Sequence, residues 1–150
     1  MILAMSSHRE TPLLEFIPYL FRRLTTELNG EIVRDLKPYN INLPRWRIIA
    51  VLHFCGGVNI GELASLTSLT QPGTSQIIDK LVTEKLVRRR SKKEDNRIMH
   101  IALTAAGERL FQDIFPIILQ HQDHLTSDFT PEEKALFISL CQRMLVNIKR

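Results

Sequence analysis

The side chains best suited to binding chemistry lie in two short segments in the middle of the chain. Residues 71–76 place amide and hydroxyl side chains directly after Thr70 and include one glycine, Gly73. Residues 85–97 hold seven of the 20 Lys and Arg residues and only two acids, a local net charge of +5. Because the whole chain carries +4, the other 137 of its 150 residues have a net charge of −1. A compact positive patch of this kind is typical of a surface that binds phosphate groups.

Helical periodicity predicts the elements that position the first segment. Apolar residues recur every three or four positions across residues 12–37, which predicts one amphipathic helix of 26 residues, about 39 Å long. Asn42, Asn59 and Thr70 then have the character of N-caps for three shorter helices. The polar segment therefore lies at the start of the third of these shorter helices.

The pattern changes from helical to alternating in the second segment. Residues 86–91 and 98–103 are β-capable runs on either side of residues 92–97, which predicts a short hairpin with a charged tip. Helical patterns resume at Thr104 and again at Thr130. The expected fold is mainly α with one small β-hairpin, and a helix pair followed by a basic hairpin forms a winged helix-turn-helix.

This geometry predicts how the polar and basic residues would bind DNA. The second helix of the pair presents its first turns to base edges in the major groove, and the hairpin lies against the backbone or the minor groove. We expect base contacts from the helix start and a phosphate contact one turn further on. The candidates on this helix are Gln71, Gly73, Thr74, Ser75, Gln76 and Lys80. The candidates on the hairpin are Arg88, Arg89, Arg90, Lys92, Lys93, Asn96 and Arg97.

Composition and the lack of certain motifs argue against a membrane protein, a disulfide-rich protein and an enzyme. A 44% hydrophobic chain of this length is ordinary for one globular domain, and no apolar run approaches the ~18 residues that span a bilayer. Two cysteines form no disulfide scaffold, so we expect a reducing compartment, the cytoplasm. The sequence has no nucleophile elbow, phosphate-binding glycine loop or zinc-binding Cys pair. We therefore expect neither an enzyme nor a bound cofactor or metal.

Several short segments between Leu43 and Leu110 share one family's pattern. They are residues 43–52, 62–64 and 79–81, the acidic-x-Arg wing at 95–97, and the LTxxG sequence at 103–107 that begins the next helix. In this pattern the chain resembles the MarR family of bacterial transcriptional regulators. It departs from the pattern at Lys85, where Gly is usual, so that a lysine must adopt the left-handed conformation or the turn must differ. It also departs at Arg45, where Gln is more usual.

The resemblance implies an assembly and roles for individual residues. It implies a homodimer held by interlocking helices at residues 11–38 and 108–150, around a winged DNA-binding region at 42–107. The length of apolar helix that the small winged region would leave uncovered supports the same dimer. In such proteins the wing arginine, here Arg97, enters the minor groove, and the wing aspartate, here Asp95, holds the wing in place. Many members release DNA when a small aromatic or phenolic anion binds, and Trp46 is a weak candidate for such a pocket.

The resulting hypothesis is a homodimeric repressor of a pseudo-palindromic operator, released by a small ligand. One alternative is a winged-helix interaction module whose basic face binds an acidic protein. A second is a redox- or metal-responsive regulator with the same fold. Cys55 and Cys141 are the candidate thiols, although we expect both to be buried among apolar residues. His121 and His124 have a spacing that suits a metal, but two ligands do not make a site.

Overall fold

The computed structural model describes the backbone of residues 11–92 and 95–149, and the side chains of residues 12–91 and 99–149. The described helices are α1 (Ile17–Leu36), α2 (Leu43–Cys55), α3 (Ile60–Thr67), α4 (Gln71–Thr83), α5 (Ala105–Leu125) and α6 (Pro131–Ile148). The antiparallel strands β1 (Val87–Lys92) and β2 (Asp95–Leu103) form the hairpin. Short 3-10 turns occupy Thr11–Glu15 and Lys37–Tyr39. The predicted fold class, mainly α with a hairpin wing, is confirmed.

The predicted N-caps are confirmed by their hydrogen bonds. The Asn42 side chain accepts from the Arg45 N–H at 3.0 Å, and the Thr70 hydroxyl accepts from the Gly73 N–H at 3.2 Å. Asn59 forms a reciprocal capping box with Glu62, and Thr130 forms another with Glu133. Each cap provides an acceptor for backbone N–H groups that have no partner within the helix. The capping residues therefore determine where these four helices begin.

The prediction of one helix across residues 12–37 was wrong at its start. Phe16 is extended, with φ −96° and ψ 106°, and it separates the Thr11–Glu15 turn from α1. Pro18 lies in the first turn of α1, where its missing N–H costs nothing because those donors have no helical partner. The helix therefore begins just before this proline, and its 20 residues span about 30 Å.

The core of the winged region joins α2, α3 and α4 to the hairpin. The fully buried apolar side chains of this region and of the end of α1 are Leu36, Ile48, Ile49, Leu52, Leu63, Ile78, Leu81, Val87 and Ile101. Val58, between α2 and α3, pairs with Ile101 through backbone hydrogen bonds of 2.8 and 3.2 Å. This isolated antiparallel bridge extends the pairing of β2 beyond the hairpin. This pairing ties the base of the wing to the helix pair.

The hairpin tip is shorter than predicted. Strand pairing continues to Lys92 and Asp95, with an irregularity after Ser91, so only residues 93 and 94 lie between the strands instead of 92–97. At the other end, Lys85 adopts the left-handed conformation with φ 60°, which confirms one of its two predicted conformations. The Lys85 N–H donates to the Val82 carbonyl at 2.9 Å, which closes α4 before β1 begins.

The chain divides into two compact units, Met1–Phe115 and Pro116–Arg150. The first unit contains the winged region, and α5 crosses the boundary at Pro116. In the second unit α6 exposes many large apolar side chains, namely Leu136, Phe137, Ile138, Leu140, Leu145, Val146 and Ile148. Within the first unit α1 similarly exposes Ile17, Phe21, Leu24 and Val33.

Candidate nucleic-acid interface

Helix α4 presents a polar face that begins at its first turn. Gln71, Gln76 and Lys80 are exposed, as predicted, and Ser75 is half-buried. Gln76 and Lys80 are four residues apart and therefore lie on one face, which Pro72 extends toward the N-terminus. A side-chain amide both donates and accepts hydrogen bonds, which suits the edge of adenine in the major groove. Lys80 lies further along and supplies a charge for a phosphate.

The prediction that Thr74 contacts bases was wrong. Its side chain is fully buried, and its hydroxyl donates to the Thr70 carbonyl at 2.9 Å. The helical repeat explains this, because Thr74 shares a face with the buried Ile78 and Leu81. Gly73 has a local reason to be small, since a Cβ there would lie 3.0 Å from the Thr70 hydroxyl that caps the helix.

Strand β1 carries arginines on both of its faces. Arg88 and Arg90 are exposed and share a face, because alternate residues of a strand point the same way. Arg89 lies on the other face, which also includes the buried Val87, and its guanidinium donates to the Asp79 carboxylate of α4. Arg89 is exposed as well and forms this ion pair within the protein, and its predicted contact with DNA stays a prediction.

The rest of the predicted wing falls outside the described side chains. This applies to Lys92, Asp95, Asn96 and Arg97, whose backbone alone is described, and to Lys93, which is outside the described residues altogether. What the structure does establish is the place of the wing. The Asp79–Arg89 pair brings β1 beside α4, and Arg88 and Arg90 are exposed on the opposite face of the strand.

Trp46 is part of the core and also borders a cleft. It is 5% exposed, and its ring stacks on Phe111 with centroids 5.5 Å apart. An open cleft of about 570 Å³ runs past it between α1, α2 and the end of α3. The cleft contains Arg47, whose Nη2 lies 3.4 Å from Asn29 Oδ1. The cleft is thus bordered by one largely buried aromatic ring, Trp46, and by the cation of Arg47.

The cysteines are less buried than predicted. Cys55 is exposed, because it is the last residue of α2 and Gly56 follows it, and Cys141 on α6 is half-buried. The described residues contain no group of three or more His, Cys, Asp or Glu side chains that could hold a metal. In the same part of the chain no helix combines the length and hydrophobicity needed to cross a membrane.

Two long-range ion pairs hold α4, and sequence reasoning missed both. One is the Asp79–Arg89 pair, and the other joins Arg45 of α2 to Glu84 at the end of α4. Burial lowers the pKa of Arg45 from its ordinary value, because water is partly excluded from the guanidinium. The sequence held one signal, the unusual arginine at position 45, but nothing local indicated its partner.

Comparison with known proteins shows which family the chain resembles. A sequence model of the MarR family matches residues 39–98, from the turn before α2 into β2. Over these 60 of its 150 residues the chain is similar to the MarR family. The Bacillus subtilis protein YsmB, an uncharacterized HTH-type transcriptional regulator, is 29% identical over 115 residues, 77% of this chain and 79% of YsmB. The homoprotocatechuate degradative operon repressor of Escherichia coli is 23% identical over 73% of this chain and 74% of its own.

Solved structures match the chain over nearly its whole length. A MarR-family transcriptional regulator from Silicibacter pomeroyi has a TM-score of 0.85 at 26% identity and covers 95% of this chain and 97% of its own. The S. aureus MepR–DNA complex has a TM-score of 0.77 at 23% identity, covering 95% and 99%. NadR in complex with 4-hydroxyphenylacetate has 0.77 at 24%, covering 93% and 96%, and like MepR it shows the shared fold. This chain is a DNA-binding transcriptional regulator with the winged-helix fold of these proteins.

Proposed function

We propose that this protein is a cytoplasmic homodimeric repressor that binds a pseudo-palindromic operator through α4 and the wing. The observation that carries the proposal is the Asp79–Arg89 pair, which holds β1 and its exposed arginines next to the helix that carries the exposed Gln76 and Lys80. Amides that read base edges and cations that contact phosphates then lie on neighbouring elements. The repressor role is supported by the named function of the related E. coli operon repressor.

Base readout falls to Gln71 and Gln76, with Ser75 at the edge of the contact. Lys80, Arg88 and Arg90 supply phosphate contacts, together with Lys92 and Lys93 at the tip. Arg97 and Asn96 would contact the minor groove, where negative potential concentrates, and Asp95 would hold the wing in place. Gly73 keeps the first turn of α4 narrow, and its packing against the Thr70 cap supports that role.

Selection of genomic fragments by the purified protein, followed by fluorescence anisotropy, tests the proposal. The selected fragments should share a two-fold symmetric sequence with half-sites about one helical turn apart. Binding should weaken steeply with salt, because phosphate contacts release counterions. A protein that selects no sequence and binds no duplex at low salt would instead support the alternative of an acidic protein partner.

The dimer is supported by the apolar surface of single helices. Leu145 is 62% exposed and Ile148 is 82% exposed on α6, and α1 leaves its own apolar stripe uncovered. Water contact on this scale is unfavourable for a single chain, and pairing of two chains that covered these faces would remove it. Sedimentation equilibrium should therefore give twice the mass of the 17.3 kDa chain.

The effector site we propose is the cleft beside Trp46. The Arg47 cation and the aromatic ring of Trp46 suit a small aromatic anion, the class to which the 4-hydroxyphenylacetate bound by NadR belongs. A ligand seated between α1 and the helix pair releases DNA only if it binds one spacing of the two α4 helices better than the other.

Trp46 is the single tryptophan of the chain, so its fluorescence reports binding directly. Titration with 4-hydroxyphenylacetate should change its emission and lower operator affinity, and Arg47→Ala should abolish both effects. Arg34→Ala removes an exposed arginine of α1 and serves as the matched control. Unchanged emission and unchanged operator affinity at millimolar ligand would remove the cleft from the proposal.

A further inference from the structure

A negatively charged residue, Glu84, follows the C-terminal end of helix α4. Its backbone N–H donates to the Lys80 carbonyl at 3.0 Å. The C-terminal end of a helix carries partial negative charge, so a carboxylate there is unfavourable unless a cation compensates it. The compensating cation comes from outside the helix, because Arg45 Nη2 of α2 donates to Glu84 Oε2.

Arg45 connects the start of α2 and the turn before it to the end of α4, which lies 39 residues further along the chain. Its backbone N–H donates to the Asn42 cap of α2 at 3.0 Å, and its Nη1 donates to the Asn40 carbonyl at 3.3 Å. Asn40 has a left-handed backbone, with φ 54°, and closes the turn that follows α1. The guanidinium therefore links the α1–α2 turn to the end of α4.

The Arg45 side chain is enclosed at this junction. It is 12% exposed, whereas Glu84 is 44% exposed. Its Nε is buried and has no hydrogen-bond partner among the described residues, so Glu84 and the Asn40 carbonyl carry the polar contacts of the guanidinium. An arginine held in this way has little freedom to choose another partner.

We propose that Arg45 is a positioning residue for DNA binding, which holds the C-terminal end of α4 through Glu84 and so sets the angle of its exposed face. The inference rests on the proposed DNA-binding role of α4. The helix then has two lateral ties, because the Asp79–Arg89 pair fixes it to β1 and the Glu84–Arg45 pair fixes it to α2. The left-handed Lys85 follows Glu84 directly, so the same junction also sets where β1 begins.

Glu84→Gln tests this role through its effect on the affinity for operator DNA. A change in net charge alone would raise that affinity, whereas loss of the position of α4 would lower it. Loss of a carboxylate makes the protein more positive, which by charge alone strengthens binding to any duplex. If the pair sets the angle of α4, base contacts that require exact placement weaken instead, while binding to random duplex does not. We expect operator affinity to fall about tenfold, the size of one poorly placed base contact.

The experiment measures Kd for operator and random duplex over a range of salt, with Tm as a check on folding. Arg45→Lys keeps the charge and should retain most of the discrimination between the two duplexes. Glu27→Gln changes the charge equally on the exposed surface of α1 and should leave discrimination unchanged. The salt slope of Glu84→Gln should match that of the wild type, because no phosphate contact is removed.

Two results would overturn the inference. One is Glu84→Gln protein that binds operator as well as or better than the wild type, and the other is an equal loss of operator and random binding. If the wild type itself binds no duplex, the proposed function fails and this inference falls with it. If the wild type binds operator and Glu84→Gln matches it, only the role of Arg45 is refuted.

Discussion

Gly107 lies where the structure leaves no room for a side chain. A Cβ at this position would be 2.1 Å from the Leu86 carbonyl oxygen, whereas ordinary contact begins at 3.4 Å, so α5 or the segment around Leu86 would have to move by roughly 1 Å. The oxygen cannot retreat freely, because it accepts from the Thr104 N–H at 3.1 Å and from the Thr104 hydroxyl at 3.2 Å. Overpacking costs about 1–3 kcal/mol, weakened hydrogen bonds add about 1 kcal/mol, and better helix propensity returns about 1 kcal/mol. We expect Gly107→Ala to lower the free energy of unfolding by about 2 kcal/mol.

Urea unfolding followed by circular dichroism measures this loss, at one protein concentration because dimerisation contributes to stability. Gly30→Ala is the matched control, since Gly30 lies within α1 and a Cβ there would meet no atom within 4 Å. It should raise the unfolding free energy by up to about 1 kcal/mol. A Gly107→Ala protein as stable as the wild type would refute the close contact between α5 and Leu86.

Three further substitutions test the surface assignments. Arg88→Ala should weaken operator and random duplex equally and reduce the salt slope by about one per protomer, as measured by anisotropy; a selective loss on operator would contradict a phosphate contact. Arg97→Ala should cost about 1–3 kcal/mol on operator and relax specificity in a gel-shift titration, and unchanged affinity would remove Arg97 from the site. Leu145→Asp should convert the dimer to a monomer in sedimentation, because it places a charge on the exposed apolar face of α6, and a stable dimer would exclude this face from the interface.

The features that sequence predicted best are those with local causes. An N-cap is a hydrogen bond from a side chain to a backbone N–H three residues away, and Asn42, Thr70 and Thr130 all form it where the sequence indicated. The wing was also predictable as an element, because its strands alternate and its charge is confined to one segment. The length of its tip was not, since pairing beyond Ser91 depends on the irregularity that follows it.

Features that depend on the phase of a helix or on distant partners were harder to predict. Thr74 and Gln76 are both polar and both lie in the first two turns after the Thr70 cap. Thr74 is nevertheless buried and Gln76 exposed, because the core determines which face of α4 turns inward. Arg89 is one of three consecutive arginines, and only its strand position directs it to Asp79. The Arg45–Glu84 pair joins residues 39 positions apart, so no periodic pattern could indicate it.

The central claim is that the surface formed by α4 and β1 binds duplex DNA, and the salt dependence of binding tests it most directly. Lys80, Arg88 and Arg90 on each of two protomers would make six phosphate contacts. The slope of log Kobs against log salt concentration should therefore be about −5 or steeper for both operator and random duplex, with the operator bound more tightly throughout. Absence of duplex binding at about 50 mM salt, or an affinity independent of salt, would contradict the claim.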